Sequence, residues 1–114
     1  MSLRTINLEQ GMPTVEDARK KLLEALQAAQ RDHVRALKVI HGYGSSGTGG
    51  RLRDGVRKSL SLRRKEGKVL HVCPGENWGP LDETARKMLE ACMQLKGDKD
   101  YGRGNYGVTI VLLP

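Results

Sequence analysis

A glycine-rich segment followed by a run of basic residues is the part of this sequence best suited to chemistry. The segment HGYGSSGTGG occupies residues 41–50. Glycine permits positive φ and lets a ligand approach the backbone closely, because it has no Cβ. Free N–H groups at the start of the next helix attract an anion, so the pattern predicts a phosphate site. The predicted phosphate-binding residues of this loop are Gly42, Tyr43, Gly44, Gly47, Thr48, Gly49, Gly50 and Arg51.

Most of the positive charge lies directly after this loop. The formal net charge is +7 at pH 7, and residues 51–68 alone carry eight basic and two acidic side chains. At about 100° per residue, Arg53, Arg57 and Arg64 fall on one flank of the helix predicted over residues 50–64. Such a flank can follow a nucleic acid backbone without reading bases. Nucleic acid is therefore the predicted partner, bound with strong salt dependence and little sequence preference.

Two ionisable residues are placed to act at this site. His41 ends the second predicted strand and can serve as a general acid or base, since imidazole titrates near neutrality; alternatively it is a hydrogen-bonded residue that orders the loop. Glu9 follows the first predicted strand and can act as a base or metal ligand, or be an exposed turn carboxylate. Tyr43 can stack on an exposed base or pack over the loop. No carboxylate cluster has the spacing for two catalytic metals, so no cofactor is predicted and metal dependence stays open.

Alternating periods of two and 3.6 indicate an α/β fold that positions these residues. Strands are predicted at residues 4–8, 36–41, 69–73 and 108–113, and helices after the N-cap Thr14, over 50–64 and over 80–95. Strands joined through helices should run parallel. The prediction is a compact sandwich, a single domain over residues 1–114, with a four-stranded, mostly parallel sheet and three helices.

Other glycine-loop chemistries fit less well. Gly42-x-Gly44-x-x-Gly47 matches the dinucleotide fingerprint, but the next strand ends at Cys73-Pro74 with no acidic residue for a ribose. A Walker loop ends in Gly-Lys-Ser/Thr, whereas this one ends in Gly49-Gly50-Arg51. A flexible connection without a ligand stays open, as does a small phosphorylated ligand held by a closed loop.

Three segments together resemble one known family. His41-Gly42-Tyr43-Gly44 followed by Gly50-Arg51-Leu52-Arg53 resembles the HGxGxGxLR signature of the Smr (small MutS-related) domain. Residues 8–11 resemble its opening LDLHG motif, and GNYGVTIV at 104–111 resembles its closing turn and last strand. The resemblance covers essentially the whole chain. It implies a fold like the C-terminal domain of a bacterial translation initiation factor, DNA or RNA binding and, in several members, backbone nicking.

The sequence also departs from that family. The loop is four residues longer than the signature. The family's Asp falls at Asn7, and its His falls at Glu9 or Gln10. Residues 80–95 look like a helix that the minimal domain lacks. The main prediction is a nicking endonuclease using His41 and Glu9; a non-catalytic nucleic-acid-binding module and a binder of a small phosphorylated ligand are the alternatives.

The cysteines and hydropathy indicate the compartment. Cys73 and Cys92 lack CxxC spacing, which is typical of buried thiols in a reducing compartment. No stretch approaches transmembrane length, and the first residues contain no apolar run with a cleavage site. We therefore expect a cytoplasmic protein without membrane contact; the sequence leaves its oligomeric state open.

Overall fold

A computed structural model of the chain describes residues 3–11, 13–42 and 48–114. The strands are β1 (Leu3–Asn7), β2 (Ala36–Ile40), β3 (His71–Pro74) and β4 (Val108–Leu112). The helices are α1 (Val15–Arg31), α2 (Thr48–Lys65) and α3 (Glu83–Ala91). Two short 3-10 helices, Gly75–Asn77 and Met93–Gly97, flank α3. The predicted four strands and three helices are confirmed in number and order for the described residues.

The four strands form one mixed sheet in the order β1-β2-β4-β3. β1 and β2 pair in parallel, whereas β4 is antiparallel to both β2 and β3. The prediction of a mostly parallel sheet was therefore wrong, because two of the three pairings are antiparallel. Crossovers through α1 and α2 still give β1, β2 and β3 one common direction, as predicted.

The reversal of β4 follows from the path of the chain around α3. With nine residues, α3 spans only about 14 Å, and the 3-10 helix Met93–Gly97 that follows it packs against it. The chain re-enters the sheet at the edge where β3 ended, with Thr109 paired to Pro74. A strand that starts where its neighbour ends must run antiparallel to it.

One face of the sheet is covered by α1 and α2. Thr14 caps α1 by accepting a hydrogen bond from Asp17 N (3.1 Å), as its position predicted. Leu52, Val56 and Leu60 recur every four residues along α2 and are all buried, so they form its apolar stripe. The two helices pack against each other and against the same side of β2 and β4.

The opposite face is covered by α3 and the 3-10 helix after it. The helix predicted over 80–95 is shorter: Asp82 caps α3 through Ala85 N (2.9 Å), and Cys92 leaves the helical conformation. Trp78 is 1% exposed and packs in this second core. That this helix adds to the minimal domain, and that residues 1–114 act as one domain, stay predictions.

The interior also accounts for both cysteines. Cys73 and Cys92 are free and buried, as their spacing predicted. Burial raises the pKa of Cys73 to about 12, and the Asp82 carboxylate beside it adds to the effect. Within residues 3–11, 13–42 and 48–114, no helix has the length and apolar character needed to cross a bilayer.

Candidate nucleic-acid interface

The carboxyl ends of β1, β2 and β3 lie at one edge of the sheet, together with the start of β4. We call this the carboxyl edge. Leu8 N donates to Ile40 O (2.7 Å), which joins the turn after β1 to the end of β2. His41 N and Gly42 N both donate to Gly107 O (3.0 Å each), which joins the start of the glycine loop to the turn before β4. Ligands of open α/β sheets commonly bind at such an edge.

His41 is fully buried under α2, with both ring nitrogens bonded inside the protein. Nδ1 lies 2.7 Å from Gly42 O and Nε2 lies 2.8 Å from Thr109 Oγ1. Since a carbonyl only accepts, Nδ1 carries the proton, and Nε2 of the neutral ring accepts from the Thr109 hydroxyl. Burial lowers the pKa of His41, and the charges of Arg57 and Arg53 lower it further. The ring is therefore neutral and holds the first peptide of the loop.

Arg57 extends this chain of hydrogen bonds to the 3-10 helix that follows β3. Its Nε donates to Thr109 Oγ1 (3.1 Å), and its two terminal nitrogens bind Glu76 at 2.8 and 2.7 Å. Burial by itself raises the pKa of Glu76, but the hydrogen bonds and charge of Arg57 outweigh it, so the pKa lies below its ordinary value. The guanidinium predicted to bind phosphate is thus half-buried and bonded to protein groups.

Glu9 and Gly42 lie next to each other where the glycine loop begins. Gly42 has φ of +75°, and a Cβ built on it would overlap Glu9 Oε2. Asn7 Oδ1 accepts from Glu9 N (3.0 Å) and Gln10 N (3.2 Å), which fixes the turn that carries Glu9. The structure therefore places the Glu9 carboxylate against Gly42, the residue that follows His41, and leaves Glu9 exposed.

The other predicted phosphate-binding residues are spread along the loop and α2. Tyr43, Gly44 and Gly47 lie outside the described residues. Thr48, Gly49, Gly50 and Arg51 form the first turn of α2, and Arg51 is exposed. Arg53 is half-buried, with its Nε 3.6 Å from Asp54 Oδ1. Arg64 lies about 16 Å farther along the helix axis and bonds Leu70 O (3.3 Å), so it belongs to the same flank but not to the carboxyl edge.

The comparisons with known proteins identify the family. A sequence profile of the Smr domain matches residues 8–79, more than half of the chain. The chain belongs to the Smr domain family. Smr domains are a nucleic-acid-binding and nicking-endonuclease type of domain. The crystal structure of the Smr domain of Thermus thermophilus MutS2 shares the fold, with a TM-score of 0.57 and 23% identity over 100% of this chain and 99% of that one.

A second similarity is partial. Acetylglutamate kinases of Buchnera aphidicola subsp. Acyrthosiphon pisum, from strains Tuc7 and 5A, are each 40% identical to this chain over 80 residues. That stretch is 67% of this chain and 29% of the kinase. The chain thus spans less than a third of the length of the curated relatives that it matches.

Sequence reasoning about this Smr domain missed a buried ionic network behind the carboxyl edge. Lys38, on the α3 side of β2, is 4% exposed; its Nζ donates to Asp98 Oδ1 (2.8 Å) and contacts Asp100 Oδ2. Burial by itself lowers the pKa of Lys38, but the hydrogen bonds and charges of Asp100 and Asp98 outweigh it and raise the pKa. A lone lysine inside the apolar run of β2 was the available signal, since buried charges are normally paired.

The network reaches the loop through the turn before β4. Asn105 Nδ2 donates to Asp100 Oδ1 (3.0 Å), and Gly107 N donates to Asn105 Oδ1 (2.8 Å). The Gly107 carbonyl then accepts from His41 N and Gly42 N. Two hydrogen-bond systems, one on each face of the sheet, therefore hold the start of the glycine loop. Among the described residues, no group of three or more His, Cys, Asp or Glu side chains has a metal-binding arrangement.

Proposed function

We propose that this Smr domain binds nucleic acid along its phosphate backbone, with the glycine loop at the carboxyl edge and the exposed basic residues of α2 as the contact surface. The observation that carries the proposal is the concentration of exposed cations on α2, the helix that starts at this loop. Its exposed basic residues are Arg51, Lys58, Arg64 and Lys65. The nucleic-acid-binding character of the family supports the same assignment.

This surface predicts a strong salt dependence. Each phosphate contact adds about −0.7 to the slope of log K against log salt on single strands and about −0.9 on duplex DNA. Four contacts along α2 would give slopes of about −3 and −4. Arg57 adds little to this number, because its guanidinium is already bound to Glu76.

Nicking of the backbone is the finer proposal, and Glu9 is the residue on which it rests. Phosphodiester hydrolysis needs an activated nucleophile, neutralised phosphate charge and a protonated leaving oxygen. The Glu9 carboxylate lies against Gly42 and is exposed, so it can act as the base at the loop. His41 is a positioning residue in this arrangement, because both of its nitrogens are bonded internally. Arg51 and Arg53 supply positive charge.

Fluorescence anisotropy with labelled single-stranded and duplex oligonucleotides tests the binding proposal. Arg51→Ala/Arg64→Ala should weaken binding to both and reduce the salt slope by about 1.4 on single strands. Arg86→Ala/Lys96→Ala is the matched control, since it removes the same charge from exposed positions on the α3 side. Equal losses in the two variants would reduce the effect to net charge and contradict the assigned surface.

A plasmid assay tests the nicking proposal. Supercoiled DNA and a labelled RNA are incubated with the wild type, Glu9→Gln and the control Glu24→Gln, which changes an exposed carboxylate of α1. We expect nicking to be lost only in Glu9→Gln while its binding persists. Binding by the wild type without nicking would refute catalysis and identify a binding module. Likeness over 29% of acetylglutamate kinase is too partial to carry that enzyme's activity to this chain.

A further inference from the structure

A second feature of the carboxyl edge is a basic pocket that the glycine-loop signature does not include. The pocket is an open cleft with a volume of about 750 Å³, and it lies between Arg53 of α2 and the segment 99–106. Small-molecule sites typically enclose roughly 300–1,000 Å³, a range that includes a nucleotide. Its lining combines three cations, Arg53, Lys99 and Arg103, with the ring of Tyr106.

The charges of this pocket are available to an anion. Among the described residues, neither Lys99 nor Arg103 has a carboxylate within salt-bridge distance. The pocket's one carboxylate, Asp100, is already bound by buried Lys38 and by Asn105. The lining therefore presents a net positive charge toward solvent, as a phosphate site requires.

Tyr106 differs from the other aromatic side chains that the structure describes. Trp78 and Tyr101 pack edge to face, with ring centroids 5.3 Å apart, in the core on the α3 side. Tyr106 instead is 56% exposed at the rim of the pocket. An exposed ring beside cations matches the stacking platforms that bind single-stranded nucleic acids.

The segment that carries Tyr106 is held on both sides of the pocket. Arg103 N donates to Asp100 O (3.0 Å), and Gly102 N donates to Trp78 O (2.7 Å). On the other side, Gly107 is bonded to Asn105 and to the first residues of the glycine loop. The platform is thus pre-ordered and directly connected to the proposed backbone site, which lowers the entropy lost on binding.

We infer that this pocket takes an unpaired nucleotide, with its base stacked on Tyr106 and its phosphate held by Arg103 and Lys99, so that the substrate is single-stranded or locally unpaired. The inference rests on the proposed function and names its substrate class. In a duplex both faces of an internal base are already stacked, so a duplex cannot use Tyr106 without opening.

The test compares nucleic acids that differ only in their bases or strandedness. Binding is measured by anisotropy for oligothymidylate, for oligouridylate, for an abasic strand of the same length and for a blunt duplex. Tyr106→Ala removes the ring, Tyr106→Phe retains it, and Arg103→Ala removes a phosphate contact. Tyr106 and Arg103 are both exposed, so all three variants should fold. Circular dichroism and a thermal melt verify this.

We expect Tyr106→Ala to weaken binding of the base-bearing strands, DNA or RNA, by at least about fivefold, with the salt slope unchanged. Tyr106→Phe should stay within about twofold of the wild type, since the stacking face is kept. Neither variant should alter binding to the abasic strand or the duplex. Arg103→Ala should weaken all single strands, including the abasic one, and reduce the slope by about 0.7.

The outcomes separate this inference from the function on which it rests. If the wild type binds strands and duplex but Tyr106→Ala changes neither, the inference is overturned and the backbone proposal stands. An equal loss on the abasic strand would overturn it as well, because the ring would then not be acting on a base. If the wild type binds no nucleic acid at low salt, both proposals fall.

Discussion

Replacing Lys38 by methionine tests the buried network that supports the carboxyl edge. The lysine side chain is 5% exposed, and its partners Asp98 and Asp100 are 5% and 13% exposed. Methionine fills similar space but leaves two carboxylates in the interior without a cation. Removing one partner of a buried ion pair typically destabilises a protein by about 3–5 kcal/mol, because the remaining charge stays desolvated. We expect a loss of free energy of unfolding in that range at neutral pH.

The stability of the wild type and that of Lys38→Met should depend on pH in different ways. Burial by itself raises the pKa of Asp100, but the hydrogen bonds from Lys38 and Asn105 outweigh it and hold the pKa below 3.8. The contribution of Asp100 to stability is therefore lost only as the pH falls through that lower pKa. The pKa of Lys38 is raised above 10.5, so its contribution is lost only as the pH rises through that higher value. In Lys38→Met the burial of Asp100 is no longer offset by the ammonium group and should raise the pKa of this carboxyl, so stability should recover as the pH falls from neutral toward about 5.

Urea unfolding of the wild type, Lys38→Met and Lys38→Met/Asp98→Asn/Asp100→Asn measures this effect. The triple variant removes all three charges and should regain most of the loss. Arg4→Ala is the control: it breaks the exposed pair with Asp32 and should change stability by less than about 1 kcal/mol. A Lys38→Met protein as stable as the Arg4→Ala protein, or one without recovery at lower pH, would refute the reasoning.

Three further predictions concern the loop and the interior. Gly42→Ala and Gly11→Ala should each lower the free energy of unfolding in urea by about 1–2 kcal/mol, because both residues have positive φ. Only Gly42→Ala should also reduce nicking, since its Cβ displaces the Glu9 carboxylate. Equal nicking by the two variants would contradict a functional contact between Gly42 and Glu9. His41→Ala should lower the free energy of unfolding by about 2–4 kcal/mol. The wild type should lose stability as the pH falls from neutral, because the lowered pKa of His41 means that the folded protein resists protonation of this ring. A His41→Ala variant whose stability is equally sensitive to acid would contradict this explanation. Cys73, with a pKa of about 12, should resist iodoacetamide in the native state and react only after unfolding, as mass spectrometry can show.

The layout of the first half of the chain could be predicted because its signals are local. The Thr14 cap and the apolar stripe of α2 depend on residues within a few turns of each other. β4 is different: an apolar run of buried residues contains no signal for its direction, which depends on where α3 returns the chain. The start of α3 was misjudged for a different, local reason: Pro80 can begin a helix, but the Asp82 carboxylate two residues later makes the cap.

The same distinction applies to the site. His41, Gly42 and Glu9 follow adjacent parallel strands, so their meeting could be predicted from the strand pattern alone. The hydrogen-bond partner that helps to keep His41 neutral could not be predicted from the sequence, because Thr109 lies 68 residues farther along the chain. Arg57 was predicted to bind phosphate because it lies on the same flank of α2 as Arg53 and Arg64. Its carboxylate partner Glu76 belongs to another element, and no spacing in the sequence indicates that the two residues pair.

The most direct test of the central claim is a backbone-amide NMR titration with a short single-stranded oligonucleotide. If nucleic acid binds at the carboxyl edge, the largest shift changes will be at Gly42, Gly50, Arg53 and Gly107, while amides of α3 such as Arg86 stay unchanged. Largest changes on α3, or no changes at low salt, would contradict the account.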